Sequence, residues 1–286
     1  MLTPITSIFP KRSQNSTHYD HDDSTPSETM DNVSTAISLF QFAIETLGRI
    51  QLAREFEDDF EAYQLKLDII QLRLSRWGEI VRISTIDDIG NNGSGEYDLN
   101  IVKAILGSIH DRLAKAFRDA QKLQRKISKD DAQLLDPDSY MPMDLKKIRN
   151  RFKEFLQRRK AQTFKVVEGI KWAFYKKESF DKFIVSISEL IDELEKILPE
   201  ADRERLRKLS DEECKGISKS NLEELKEILD GCDPWLECSV DDKLNASGFG
   251  TVINQSRNVG STVGIHNGDN KGISYGPHST QTNTFN

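Results

Sequence analysis

Cysteine is scarce. Cys214, Cys232 and Cys238 are the three in 286 residues, and none stands in a CxxC or paired-ligand spacing. That argues against a disulfide scaffold and a structural zinc site, and for a reducing, cytoplasmic setting. Histidine is thin too: His110 is the single one in the long central region and has no identifiable triad partners. No GxxxxGK[ST], GxSxG or HExxH occurs, and "GFGTVI" at Gly248 lacks the third glycine and lysine context of a kinase phosphate loop. The neighbouring acids Asp58 with Asp59, and Asp192 with Glu193, read as solvated helix faces rather than an acid/base pair. His18 and His21 lie among Asp20, Asp22 and Asp23, where nothing fixes a coordination geometry, so they read as an acidic tail. The expectation is a non-enzyme with no cofactor and no metal.

A basic surplus is also lacking. The net charge is −7 with a pI near 5.4, which disfavours nucleic acid as a partner, because non-specific phosphate binding draws on surplus Lys and Arg. The N-terminus has no apolar run followed by small residues, as a signal peptide requires. Its Ser, Thr, Asp and Pro content makes residues 1–31 a disordered extension, with Met30 as an alternative start.

What is present is helical period, from about Asn32 to Leu229. Phe60, Tyr63, Leu67, Ile70, Leu74, Trp77 and Val81 recur at steps of three and four, and Leu65, Ile69, Leu72 and Ile80 form a second apolar face. A helix apolar on two sides belongs at the centre of a bundle. A glycine- and asparagine-rich loop follows Ser84, and then a helix striped by Val102, Ile105, Ile109, Leu113, Ala116, Ala120, Leu123 and Ile127. "DPDSYMPMD" breaks the pattern before a basic helix with Leu145, Ile148, Phe152 and Phe155 inward. Phe180, Phe183, Ile187, Leu190, Ile191, Leu194 and Leu198 stripe another helix, ended by Pro199, and shorter helices are expected near 201–209 and 220–230.

Two elements bear on membranes. Ile37, Leu39, Phe40, Phe42, Ile44 and Leu47 make an apolar helix near the start, interrupted by Gln41, Glu45 and Arg49. Ionised groups near the middle of a span are costly, so in the resting protein this is a bundle helix. It enters a bilayer only if something pairs, protonates or hides its charges. The second element carries Lys146, Lys147, Arg149, Arg151, Lys153, Arg158 and Arg159, with Lys160 and Lys165 beyond, against the single acid Glu154. A basic amphipathic helix attracts anionic lipid headgroups. A solvated face balancing the acidic remainder is the other reading.

Beyond Leu244 the composition shifts: from Ala246 onward the charged side chains are Arg257, Asp269 and Lys271. Gly260, Gly264, Gly268, Gly272 and Gly276 keep an unbroken spacing of four. A helix with five glycines is disfavoured, and collagen needs a spacing of three. As a strand, residues four apart share a face, so the glycines fall on one side and Val259, Val263, Ile265, Ile273 and Tyr275 on the other. Alone the segment has too little apolar area to offset its ordering; stacked on copies of itself, every backbone group bonds to the chain above and below, and Asn258, Asn267 and Asn270 can form ladders. An inert Gly/Asn/Ser tail is the competing reading.

One stretch is more specific. "QLAREFEDDFEAYQLKLDIIQLRLSRWGEIV", Gln51 to Val81, holds Gln51–Arg54, Leu65–Asp68 and Arg73–Glu79, and these are followed in order by Ile148–Arg151 with its basic run, Trp172–Tyr175 and Asp192–Lys196. This series resembles the HeLo (prion-inhibition and propagation) domain of filamentous fungi, the HET-S/HET-s-like family, over about residues 32–230. Ala53 stands where the family commonly has glycine. The resemblance implies an α-helical domain joined to a C-terminal amyloid motif. In toxic members, templated β-folding of the tail releases the N-terminal helix and the protein permeabilises the membrane in heterokaryon incompatibility or programmed cell death. It also implies an oligomerising, NACHT-type partner with a matching amyloid motif. The tail here is unlike charged, paired prion repeats and more like other short fungal amyloid signalling motifs. The first helix is more polar than in membrane-active members.

The expectation is therefore an all-α, multi-helix HeLo-like bundle at 32–230, a linker at 231–245 and an amyloid-forming tail at 246–286. Gly260, Val263, Gly264, Ile265, Gly268, Asn270, Gly272, Ile273, Tyr275 and Gly276 carry the tail's assembly. The expected activity is a cytoplasmic cell-death executor that self-assembles through the tail and relocates to plasma-membrane lipids. A non-toxic adaptor or inhibitor co-assembling through the tail is the alternative, and a small-molecule-binding bundle a third.

Overall fold

A helix apolar on two sides needs neighbours on both, and that requirement organises the molecule. The computed structural model describes residues 26–83, 98–161 and 171–247. α2 (Phe60–Ile80) runs through the middle, with Leu65, Ile69, Ile70, Leu72 and Trp77 buried on its different sides. Around it pack α1 (Pro26–Leu47), α5 (Met143–Ala161), α6 (Lys177–Lys196), α7 (Glu200–Cys214) and α8 (Lys219–Leu229). α3 (Leu99–Gln124) lies outside this ring, against α1 and α6. Its start is set by Asp98, whose carboxylate accepts from the Asn100 and Ile101 amides at 2.9 and 3.3 Å. α4 (Pro137–Tyr140) is a single turn in the proline-broken segment before α5.

The bundle fold matches the expectation, with three differences. First, a two-stranded parallel sheet joins β1 (Ile50–Leu52) to β2 (Trp172–Phe174), with Ile50 opposite Trp172 and Leu52 opposite Phe174. Three-residue strands are too short to show a period, and their pairing spans more than a hundred residues of chain, so no local pattern announces them. A 3-10 turn at Arg54–Asp59 then leads into α2, burying Phe56 against Tyr63 and Phe180.

Second, residues 231–245, expected as a linker, form most of α9 (Pro234–Ser247), packed on α7 and α8 with Leu236 and Val240 fully buried. Its start is built to rule. Asp233 accepts from the Leu236 amide at 3.1 Å, and Pro234 occupies the first helical position, where its missing donor costs nothing. Gly231, at φ 68°, makes the turn out of α8. Third, α1 already begins at Pro26, inside the expected extension. The proposed amyloid residues, the acidic cluster at His18–Asp23 and the loop after Ser84 lie outside the described residues.

Candidate functional site beneath the first helix

The short motifs noted along the chain are joined to one another in space. Arg149 of the Ile148–Arg151 segment donates through Nε to Asp68 of the Leu65–Asp68 segment at 2.9 Å. Burial pushes the Asp68 carboxyl above its ordinary range, and Arg149 pulls against that shift. Arg73 of Arg73–Glu79 meets Glu195 of Asp192–Lys196 through Nε at 3.0 Å and Nη2 at 2.6 Å. Gln51–Arg54 and Trp172–Tyr175 supply the two strands. Each motif is one half of a long-range pair, which is the physical reason they occur together.

The segment Arg73–Glu79 is the hub. Arg73 also donates to the Cys232 carbonyl at 3.0 Å and to the Asp192 carboxylate. Arg76, fully buried, is held on two sides: Glu213 of α7 at 3.3 and 2.5 Å, and Asp233 at 3.2 and 2.9 Å. Arg159 of α5 completes the cluster with Glu79 at 2.6 Å, Ser75 Oγ at 3.2 Å and Glu213 at 2.8 Å. Trp77 Nε1 donates to the Leu194 carbonyl at 3.0 Å, and Trp235 Nε1 of α9 reaches Glu195 at 3.1 Å. Buried Arg73, Arg76 and Arg159 thus face buried Glu195, Glu213 and Asp233. Burial penalises the charge on Arg73 and on Arg76, and the carboxylates outweigh it, holding both guanidinium groups above their ordinary value. Such pairs add little net stability over apolar packing, but removing one partner strands the other's charge. Asp192, read from sequence as part of a solvated face, belongs to this cluster instead.

The same segment seats α1. Phe40 lies with its ring centroid 6.0 Å from that of Trp77, and directly over Gly78, where a Cβ would come within 2.2 Å of Phe40 Cζ. One turn further on, Gln71 Nε2 donates to the Ile44 carbonyl at 2.8 Å in a buried contact. Phe42 turns to the other neighbour, α3, and packs on His110 at 4.7 Å. Phe40, Ile44 and Leu47 are buried, and Ile37, Leu39 and Phe42 are partly buried against the same core. The whole candidate membrane set is thus committed inward. No described helix is long and apolar enough to cross a membrane. Glu45 near the end of α1 pairs at 2.7 Å with Arg49, which the structure places in the turn just beyond the helix.

The basic helix is not the cationic face expected of it. Arg149 and Arg159 turn inward to Asp68 and the hub. Arg151 Nε and Nη2 donate to the Glu213 and Glu212 carbonyls, each at 2.7 Å, satisfying the free end of α7. Lys146 donates to the Asp138 carbonyl, Lys147 pairs with Asp144 at 2.8 Å, and burial lowers the pKa of half-buried Lys153. Arg158 stacks over Phe155 at 4.2 Å. As a lipid-facing set the seven are dispersed, because α2 and α7 need cations more than the solvent side of α5 does. Arg73, Arg76 and Glu195 stand inside motifs named from the sequence, but neither their burial nor their pairing with one another, Glu213 or Asp233 is read there. A signal existed for the first two: charges in a helix apolar on both sides must be buried and therefore paired.

Comparison with known proteins follows the same outline. The HeLo family model, described as prion-inhibition and propagation, matches residues 31–228. Heterokaryon incompatibility protein S of Podospora anserina is 29% identical over 228 residues, covering 78% of this chain and 76% of its own length. Heterokaryon incompatibility protein s of the same organism is 27% identical over 209 residues, 73% of this chain and 71% of its own. The solved N-terminal domain of HET-s superposes with a TM-score of 0.65 at 25% identity, covering 74% of this chain and 97% of that domain.

Proposed function

The chain belongs to the HeLo prion-inhibition and propagation family, and we propose on that basis that it is a cell-death executor of the heterokaryon incompatibility type, triggered when its C-terminal segment converts to cross-β. The relatives' names supply the process. The observation that carries the trigger is the hub. α9 is the described element that leads into residues 248–286, and Asp233 at its start is bonded to Arg76, beside Trp77 and Gly78, on which Phe40 of α1 rests. Drawing α9 away removes a carboxylate from Arg76 and a donor from Glu195, so the hub loosens under α1. Released, α1 carries Glu45 paired with Arg49 of the turn just beyond its end, which lowers the cost of bringing the two charges to a bilayer. Fibres seeded by a NACHT-type partner with a matching motif act as template, the chain adds to them through its tail, and membrane lipids receive the freed helix after the protein moves from cytoplasm to plasma membrane.

A second reading, a non-toxic adaptor or inhibitor, is favoured by the polarity of α1 and the lack of any described helix fit to span a bilayer. Dye-loaded liposomes separate the two. Fibrils preformed from a 246–286 peptide are added to the full chain with liposomes. The executor reading expects dye release that is lost when Val263 and Ile265 of the peptide are both replaced by Lys, which should prevent fibres. Mixed fibrils with the dye retained would establish the adaptor instead.

A further inference from the structure

A cleft of about 250 Å³ opens between the second half of α3, the end of β2 and the first half of α6. Its two sides differ in chemistry. The floor is carbon: Ala116 and Ala120 of α3, Phe174 of β2 and Phe183 of α6. Small residues on one wall and rings on the other leave the gap, since neither alanine reaches the aromatic side. The rim is cationic, and its cations are not equally occupied. Lys176 is engaged by Glu55 and Lys182 by Glu178. Arg112 and Lys115, one turn apart on α3 and exposed, have no acidic partner among the described residues. Asp119, the one acid among the described lining residues, is paired with Lys122 at 3.3 Å.

We propose that this cleft binds a free fatty carboxylate with a single alkyl chain of medium length. The chain lies on the Ala116, Ala120, Phe174 and Phe183 floor, and the carboxylate sits between Arg112 and Lys115, whose spacing offers a cation to each oxygen. Three arguments select this ligand. An apolar floor with two unneutralised cations, Arg112 and Lys115, on its rim is complementary to an anionic amphiphile and to neither a neutral lipid nor a cation. The volume falls just below the roughly 300–1,000 Å³ of drug-sized ligand sites, which suits one chain and excludes a two-chain phospholipid. An acidic peptide laid in the same place would press its backbone donors and acceptors onto a largely hydrocarbon floor, where the hydroxyls of Ser179 and Ser186 are too few to satisfy them. The ligand would touch α3, β2 and α6 together, so occupancy favours the folded domain by mass action.

Isothermal titration of the full-length chain with sodium decanoate, kept below its micelle concentration, tests the proposal. The expected result is saturable binding with one site per chain and a rise in the thermal midpoint. Replacing both Arg112→Glu and Lys115→Glu should weaken binding at least tenfold with the unliganded midpoint unchanged, since neither side chain is paired or buried. Ala116→Phe, at a half-buried position facing the gap, should abolish binding by filling the floor. Decanol, with the same chain and no charge, should bind at least tenfold more weakly than decanoate. Absence of decanoate binding overturns the proposal, as does equal binding of decanol or of the charge-reversed variant. Binding of phosphatidylserine vesicles with decanoate silent also overturns it, and assigns the rim to a membrane surface.

Discussion

Arg76 has no exposed surface and two carboxylates, from Glu213 and Asp233, on its one guanidinium. Glu213 has a second cation in Arg159, whereas Asp233 has Arg76 as its paired cation. Arg76→Met is therefore expected to cost about 3–5 kcal/mol in urea unfolding, mostly by stranding Asp233. Asp233→Asn separates two roles, because an amide oxygen still caps the Leu236 amide while the charge is gone; it should lose stability yet keep the α9 start. The buried thiols give a pH signature. Burial pushes Cys214 up to about 12 and Cys232 up to about 11 from an ordinary value of 9.0, whereas Cys238 is exposed. A raised folded pKa means the native state keeps its proton longer than the unfolded chain does. Its contribution is full below pH 9 and is lost as pH rises through 11 to 12, at about 1.4 kcal/mol per pH unit for each thiol. Unfolding free energies from urea curves should hold up to about pH 9 and fall at this rate between pH 9 and about 11, and a Cys214→Ala, Cys232→Ala double variant should flatten the fall.

At the scale of elements, the seat of α1 rests on one missing methyl group. Gly78→Ala would place a Cβ against the buried Phe40 ring, so α1 must shift; the expected cost is about 1–3 kcal/mol, concentrated in α1. Hydrogen exchange should show α1 amides exchanging faster while those of α6 are little changed. This predicts a variant that sheds α1 more readily and shortens the lag before fibril-triggered dye release. The stripes on α2, α3 and α6 were legible because an amphipathic helix has to repeat its apolar residues every three or four positions to cover one face. The destinations of the charges on α5 were not. Arg149, Arg151 and Arg159 look the same in sequence as Lys147 and Arg158, yet the first three face acids or free carbonyls on α2 and α7 and the others face solvent or a ring. α9 was missed as an element because its apolar residues, Trp235, Leu236, Val240 and Leu244, are few and stand beside a composition shift.

For the whole molecule, the position of α9 decides where the bundle ends. A chain stopped after Ser247 should unfold like the full one, whereas one stopped after Gly231 loses Asp233, Trp235 and the Leu236 and Val240 contacts. With each kcal/mol worth roughly 2–4 °C in a domain of this size, the shorter chain should melt about 10 °C or more lower by calorimetry. If both truncations melt alike, α9 is an appendage and cannot transmit the state of the tail to α1. The sequence by itself determined the helical bundle, the central place of α2, the family and the abrupt change of composition at the tail, because periodicity, apolar content and ordered motifs are properties of neighbours along the chain. Only the tertiary structure decided that those motifs pair across more than eighty residues, that the basic helix turns Arg149, Arg151 and Arg159 toward α2 and α7 while Arg158 stays outside, and that α1 and α9 meet at Arg73–Glu79. A charge shows its sign in sequence, but its partner is set by which helices come to lie side by side.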